Sequence, residues 1–493
     1  MKLSGVSHHT SYEWNQDSNK THNINFETKT PELNIRELAL ADLPSPKSID
    51  IVVGSPPCTQ FSYSNRAGGG DIEDGLIDVH KFLTIVEHLK PRYWAMENVP
   101  RVKKIIDDLV SEHPRFKRFR KMITYNEVVN AWEFGAPQKR KRMICGNFPW
   151  ELFMSYREKC PRHTMGEALA QLGGKRRTDF LYGWNRGIVT DNEKEVHLDE
   201  EECRTNREWK SYHPVYNRMA FPDPLSRPSR TVTSLCTRVS RESIIIEDRG
   251  QYRRLSVRER AVLMGFPVTY QFYGSSHSEK LKMIGNAIPP QITYHLFNAM
   301  LGHRYTPLKS QTNYTHKRPN KKIPVTTPTT PKRKFNKNRN FRFCIPGFRY
   351  GSGVRFELWN PEGIWRVRFF YGSSKNIVEL QLDGKLLKQL SHYLPKKCFP
   401  PIPRSLSNLT SERLQKAWIG EEEGHPFDHI DALGVYGEKI LIGLNGRCLP
   451  DNVITSLLSS TANRSLKNDP NRAIAGMIAG IIFNSKMESN ESK

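Results

Sequence analysis

The sequence predicts an α/β protein followed by a smaller α+β domain, on three observations. The run Ile51-Val52-Val53 is apolar and β-branched, and Gly54-Ser55-Pro56-Pro57 stops it abruptly. Such a run reads as a strand of a parallel sheet buried on both faces. A helical pattern from about Leu76 to Leu89 then leads to a second apolar run, Tyr93-Trp94-Ala95, so strand, helix and strand alternate. Beyond residue 343 the pattern changes to hairpins: Val354 to Trp359, the turn Asn360-Pro361-Glu362-Gly363, then Ile364 to Tyr371.

At 493 residues the chain should hold two or three domains. A hydrophobic fraction of 37% is enough for real cores, and no apolar run is long enough to span a membrane. Met1-Lys2-Leu3-Ser4-Gly5 leads into histidines and polar residues, which is not a signal-peptide pattern. The eight cysteines are scattered without a CxxC pair, as expected of a protein of the reducing cytoplasm. Cys160 and His163 are three apart but have no second pair nearby, so no metal site is expected. The formal charge of +24 favours a polyanionic partner, DNA or RNA.

Four segments carry candidate chemistry. Cys58 follows the stiff Gly-Ser-Pro-Pro turn, at the carboxyl end of the first strand, where ligands collect in open α/β sheets. A thiol held there is a candidate nucleophile. Glu97, in Met96-Glu97-Asn98-Val99-Pro100, also sits where a short strand ends. Arg140 and Arg142, in Gln138-Lys139-Arg140-Lys141-Arg142, point to one side if the segment is extended. Gly285-Asn286-Ala287-Ile288-Pro289-Pro290 is a turn before an apolar helix, about 290 to 301.

In order, these segments read PPC, ENV, QxRxR and GNxxPP, and they resemble the C5-cytosine DNA methyltransferases from about Ser11 to Leu301. The resemblance implies a Rossmann-like S-adenosylmethionine-dependent methyltransferase domain over residues 1–302, with a target-recognition region at about 151–250. It implies that Cys58 adds to the cytosine ring, that Glu97 holds N3, and that Arg140 and Arg142 divide O2 and a backbone phosphate between them. It implies a cofactor site of Glu13, Trp14, Asn34, Ile35, Pro57, Asn286 and Ala287, with Glu13 on the ribose hydroxyls and Trp14 against the adenine. Asn34 departs from the family's usual Asp; its carbonyl still accepts a hydrogen bond from the adenine amino group, without charge.

The remaining elements follow from local pattern. Gly68-Gly69-Gly70 suits a hinge in the loop after Cys58. Residues 101–121 read as one or two basic amphipathic helices, and Met122 to Val129 as a strand. Arg204, Arg207, Lys210 and Asn217 are base-reading candidates in the recognition region, and Arg227 to Thr233 resembles the segment that props it. Between Lys309 and Arg342 there are eleven Lys or Arg and no acid. That predicts a basic disordered linker over 303–342 that meets phosphates. Residues 343–493 form a C-terminal domain of no recognised family, in which Asp431, Glu438 and Lys439 are remote nuclease candidates.

The family's first strand and FxGxGG loop have no counterpart before Tyr12, and Ser4-Gly5 is the nearest remnant. The expectation is that this piece comes from an upstream start or from a second polypeptide. The leading functional expectation is a DNA (cytosine-5) methyltransferase of a restriction–modification system, acting on double-stranded DNA in the cytoplasm. The alternatives are a non-catalytic or partner-dependent DNA-binding relative and, further off, a tRNA cytosine-5 methyltransferase.

Overall fold

The computed structural model describes residues 1–6, 8–57, 61, 71–173, 177–211, 219–234, 236–311 and 314–328. In the C-terminal part it describes 342–350, 354–359, 366–371, 376–380, 392, 396, 400–410, 412–413, 416, 426–444, 475, 478 and 479. Cys58 and Gly68-Gly69-Gly70 lie outside these residues, as does Asn217. The chain divides into two compact units, Met1–Asn206 with Ala220–Thr329, and Arg207–Met219 with Thr330–Lys493.

The first unit begins with α1 (Gln16–Phe26), capped by the Asn15 side chain, which accepts from the Ser18 amide. The strands β1 (Ile51–Gly54) and β2 (Tyr93–Asn98) flank α2 (Ile72–Leu89), as the alternating pattern predicts. Then come α3 (Arg101–Glu112), α4 (Pro114–Lys117), β3 (Tyr125–Asn130) and β4 (Lys141–Asn147). Among the described residues these strands make one sheet in the order β1-β2-β4-β3. The expected parallel sheet is therefore mixed: β1 runs parallel to β2, while β4 runs antiparallel to both β2 and β3.

Alternation along β2 and β4 builds a core on each face of this sheet. Trp94, Met96, Met143 and Cys145 pack against α2 and α3, with Val79, Leu83, Val102 and Ile106. Ala95 and Ile144 point the other way, toward Ile292, Leu296 and Ala299 of a later helix. β1 is not buried on both faces as expected. It is an edge strand paired with β2 alone among the described residues, and Val53 is 37% exposed. At its end Gly54 lies under the Phe82 ring, where an added Cβ would come within 2.4 Å.

After β4 come α5 (Trp150–Ser155), α6 (Met165–Ala170) and α7 (Glu200–Ser211), then the hairpin β5 (Ile245–Asp248) and β6 (Gln251–Arg254). Arg249 and Gly250 turn this hairpin with φ of 58° and 80°, as a type I′ turn requires. The helices α8 (Val257–Met264), α9 (His277–Asn286) and α10 (Pro290–Met300) return the chain to the sheet.

Residues 303–311 and 314–328, expected to begin a disordered linker, run along this unit as a strap. Tyr294 Oη donates to Thr306 O at 3.0 Å, and Tyr273 Oη to Lys321 O at 2.9 Å. His316 is buried, with Nδ1 3.0 Å from Thr269 Oγ1 and Nε2 3.1 Å from Asn25 O. Its ring also packs against Phe26 and Tyr270. The strap thus ties α1 to the segment after α8. Charge composition predicted disorder, but ring packing and three carbonyl contacts outweigh it.

In the second unit, β7 (Arg342–Tyr350), β8 (Val354–Trp359), β9 (Arg366–Tyr371) and β10 (Asn376–Leu380) form an antiparallel meander. β7 is an edge strand whose pairing skips between Cys344 and Arg349, a span that contains Pro346; proline is tolerated at such bulges. The helix Pro426–Leu444 packs on β7 and carries Asp431, Glu438 and Lys439 on one element.

Candidate active site

Strand register creates the centre of the site. Glu97 on β2 pairs with Ile144 on β4. Arg142 lies two residues from Ile144, so it stands on the same sheet face and diagonal to Glu97. Their side chains meet: Arg142 Nε is 2.8 Å from Glu97 Oε1, and both are largely buried. Arg142 Nη1 also donates to Lys141 O at 2.7 Å.

The loop that carries Cys58 is tied to the same strand. Gly54 pairs with Met96 in parallel register, which brings Ser55 level with Glu97. Ser55 Oγ donates to Glu97 Oε2 at 2.6 Å. One residue further on, Asn98 Nδ2 donates to Pro56 O at 3.1 Å. Ser55 and Asn98 were missed by the sequence reading. The usable signal was that parallel strands ending together place their next residues side by side.

Arg140 and Arg142, though spaced by two, end on different partners. Arg140 is 1% exposed and donates to Val232 O at 2.9 Å, Gly285 O at 2.6 Å and Ala287 O at 3.1 Å. It therefore binds the end of α9 to the segment 229–234. Gln138 reinforces this joint, accepting from the Val232 amide at 3.0 Å and donating to Leu263 O at 3.0 Å. Gly285 belongs to α9 rather than to a free turn. An added Cβ there would lie 2.2 Å from the Ser234 nitrogen, so the close approach requires glycine.

The cofactor candidates gather in part. A parallel bridge between Glu13 and Glu32, with Leu33 N donating to Glu13 O at 3.2 Å, lays Glu13-Trp14 beside Asn34-Ile35. Burial pushes the Glu13 carboxyl above its ordinary range, opposed by the amides of Asn15 and Trp14. The Trp14 indole is 61% exposed. Asn34 Oδ1 accepts from the Arg36 amide at 3.1 Å. Pro57 is exposed, and Asn286 and Ala287 close α9. These groups fit the adenosine part of S-adenosylmethionine: an uncovered flat ring suits a purine, and a desolvated carboxyl gains from hydroxyl donors.

Four arginines in and just after the region expected to read DNA make ion pairs within the unit. Arg230 pairs with Asp223 at 2.6 Å, Arg238 with Glu202 at 2.7 Å, and Arg254 with Glu195 at 2.5 Å. Arg253 bridges Asp248 and Glu259 at 2.6 and 2.7 Å. Each is a partly or fully buried, charge-assisted contact that orders the hairpin.

The mixed α/β sheet thus carries a buried carboxylate–guanidinium pair that is also bonded to Ser55, just past the end of β1. The sequence profile of the C-5 cytosine-specific DNA methylases matches residues 1–302, and the chain belongs to that family. It is 24% identical over 297 residues to the type II methyltransferase M.FnuDI of Fusobacterium nucleatum, covering 56% of this chain and 82% of that protein. It is 26% identical over 261 residues to the type II methyltransferase M.MthTI of Methanothermobacter thermautotrophicus, covering 50% and 76%. The solved S. pombe Dnmt2 methyltransferase aligns with a TM-score of 0.43 at 14% identity, covering 61% of this chain and 93% of that one. The chain is a DNA (cytosine-5) methyltransferase that uses S-adenosylmethionine. Among the described residues no helix is long and apolar enough to cross a membrane.

Proposed function

We propose that the chain methylates C5 of cytosine in duplex DNA through a covalent bond from Cys58 to C6, as the modification half of a restriction–modification system. The observation that carries this reading is the Glu97–Arg142 pair, bonded through Ser55 to the turn that leads into Cys58.

C5 is a weak nucleophile, and the target base must first leave the stack. Addition of the Cys58 thiolate to C6 breaks the C5–C6 double bond and makes an enamine with electron density on C5. Charge builds at N3 and O2 as it does so. Glu97 holds N3, sharing a proton with it, and Arg142 turns from Glu97 to O2. When bound, S-adenosylmethionine supplies the methyl group that C5 takes. Glu13, Trp14, Asn34 and Ile35 would hold its adenosine part, and Pro57, Asn286 and Ala287 would line the other side. The C5 hydrogen then leaves as a proton to water, and elimination restores both the aromatic ring and the Cys58 thiolate. Arg140 shapes the site from below rather than meeting a phosphate.

Residues 151–250 read the target sequence, and acidic partners fix the frame from which base readers project. The relatives named above are type II methyltransferases, which supports a restriction partner and action in the cytoplasm. The edge of β1, unpaired beyond β2 among the described residues, leaves room for a strand from a second polypeptide that cradles the methionine end.

The test is methyl transfer from labelled S-adenosylmethionine to duplex DNA and to tRNA, followed by sequencing of the modified DNA. The reading expects label in DNA at C5, in one sequence context. Label in tRNA alone would overturn it. A chain that needs an added partner polypeptide for activity would support the completed β1 edge.

A further inference from the structure

We propose that Ser55 is a positioning residue of the methyl-transfer reaction, fixing the Glu97 carboxylate from the end of β1. This rests on the roles given above to Cys58 and Glu97.

A carboxylate at N3 must present one particular oxygen at one particular angle. Arg142 holds only Glu97 Oε1, at 2.8 Å. A single contact leaves the carboxylate free to rotate about its terminal bond, which is broad and soft. Ser55 Oγ holds Oε2 at 2.6 Å, from the opposite side of the group. Two anchors fix the plane of the carboxylate, where one does not. Ser55 is itself constrained. It stands between Gly54, which lies against the Phe82 ring, and Pro56, whose carbonyl is held by Asn98 at 3.1 Å. Proline at 56 also keeps the Ser55 backbone extended.

The contact has a chemical use. When Arg142 leaves Glu97 for O2, Ser55 remains as the group that keeps the carboxylate aimed at N3. The contact is a hydroxyl donating to a charged acceptor, the stronger class of hydrogen bond.

The test uses exchange of the C5 hydrogen. Reversible addition of a thiolate to C6 lets C5 take a proton from water and lose its own hydrogen, so DNA carrying tritium at cytosine C5 releases it without any methyl transfer. The full-length protein is compared with Ser55→Ala, Ser55→Thr, Glu97→Ala and the double variant Ser55→Ala/Glu97→Ala. Ser55→Ala should slow tritium release roughly 10- to 100-fold, the scale of one charge-assisted hydrogen bond. The KM for DNA and the melting temperature should be unchanged. Ser55→Thr, which keeps the hydroxyl, should recover most of the rate. In the Glu97→Ala background, Ser55→Ala should have no further effect, because its action passes through that carboxylate.

A Ser55→Ala rate equal to wild type overturns the proposal, as does a loss that adds fully to that of Glu97→Ala or that Ser55→Thr does not rescue. If Glu97→Ala itself leaves the rate intact, the fault lies in the role given to Glu97. If Glu97→Ala is slow and Ser55→Ala is fast, only the positioning role fails.

Discussion

The two sides of the site are built on opposite principles. On the proposed base side, Glu97 is held by Arg142 at 2.8 Å and by Ser55 at 2.6 Å, and Asn98 holds the Pro56 carbonyl at 3.1 Å. On the cofactor side, Trp14 stands 61% exposed and the edge of β1 is open among the described residues. On the roles proposed for it, Arg142 alone changes partner as charge develops on the ring, while Ser55 and Asn98 keep theirs. The cofactor side offers surface that a ligand or a further strand must cover. Rate should therefore be lost by changes on the first side, and affinity by changes on the second.

The largest effect should come from neither side but from the joint beneath them. Arg140→Ala leaves the carbonyls of Val232, Gly285 and Ala287 without their buried donor, together with a cavity. Chemical denaturation of the first unit should show a loss of about 4 kcal/mol. Arg142→Ala should leave that unfolding curve close to wild type while lowering kcat about 100-fold, about 2.7 kcal/mol, with little change in KM for DNA. If the two variants behave alike, the division between a joint and a reacting group is wrong.

The strap sharpens the comparison through pH. Burial lowers the His316 pKa to about 4, below the ordinary 6.5. The neutral ring is therefore the folded form. Its contribution is complete above pH 6.5 and is lost as pH falls toward 4. Stability should drop by about 2 kcal/mol from this group between pH 6.5 and 5. His316→Gln should start less stable at neutral pH and lose less over that window. His295, lowered to about 3 by burial, acts equally in both proteins and cancels in the difference.

The smallest effect belongs to the cofactor side. Trp14→Ala should raise the KM for S-adenosylmethionine roughly tenfold through lost stacking, with kcat nearly unchanged. A fall in kcat alone would place Trp14 among the base-side groups.

Much of this was legible in the sequence because it is local. The β-branched run before Gly54, the helix to Leu89 and the hairpin from Val354 to Tyr371 follow from pattern and turn chemistry. The motif order carried the family. What was not legible depends on distant pairing. Spacing alone put Arg140 and Arg142 on one side of an extended segment. Only the register of β2 against β4 sends Arg142 to Glu97, and only the fold of α9 sends Arg140 to Gly285. The strap was hidden by its charge, since His316 looks like an isolated ring until Phe26 and Tyr270 flank it. The ion pairs of Arg238 and Arg254 were not legible because their acids lie far away in the sequence, as Glu195 does, 59 residues from Arg254.

The most direct test of the central claim is trapping on DNA that carries 5-fluorocytosine. Fluorine at C5 cannot leave as the proton does, so the bond from sulfur to C6 cannot be undone after methyl transfer. With S-adenosylmethionine present, wild type should give a stable covalent complex with such DNA, and Cys58→Ala should give none while still binding it. A covalent complex formed by Cys58→Ala would contradict the account.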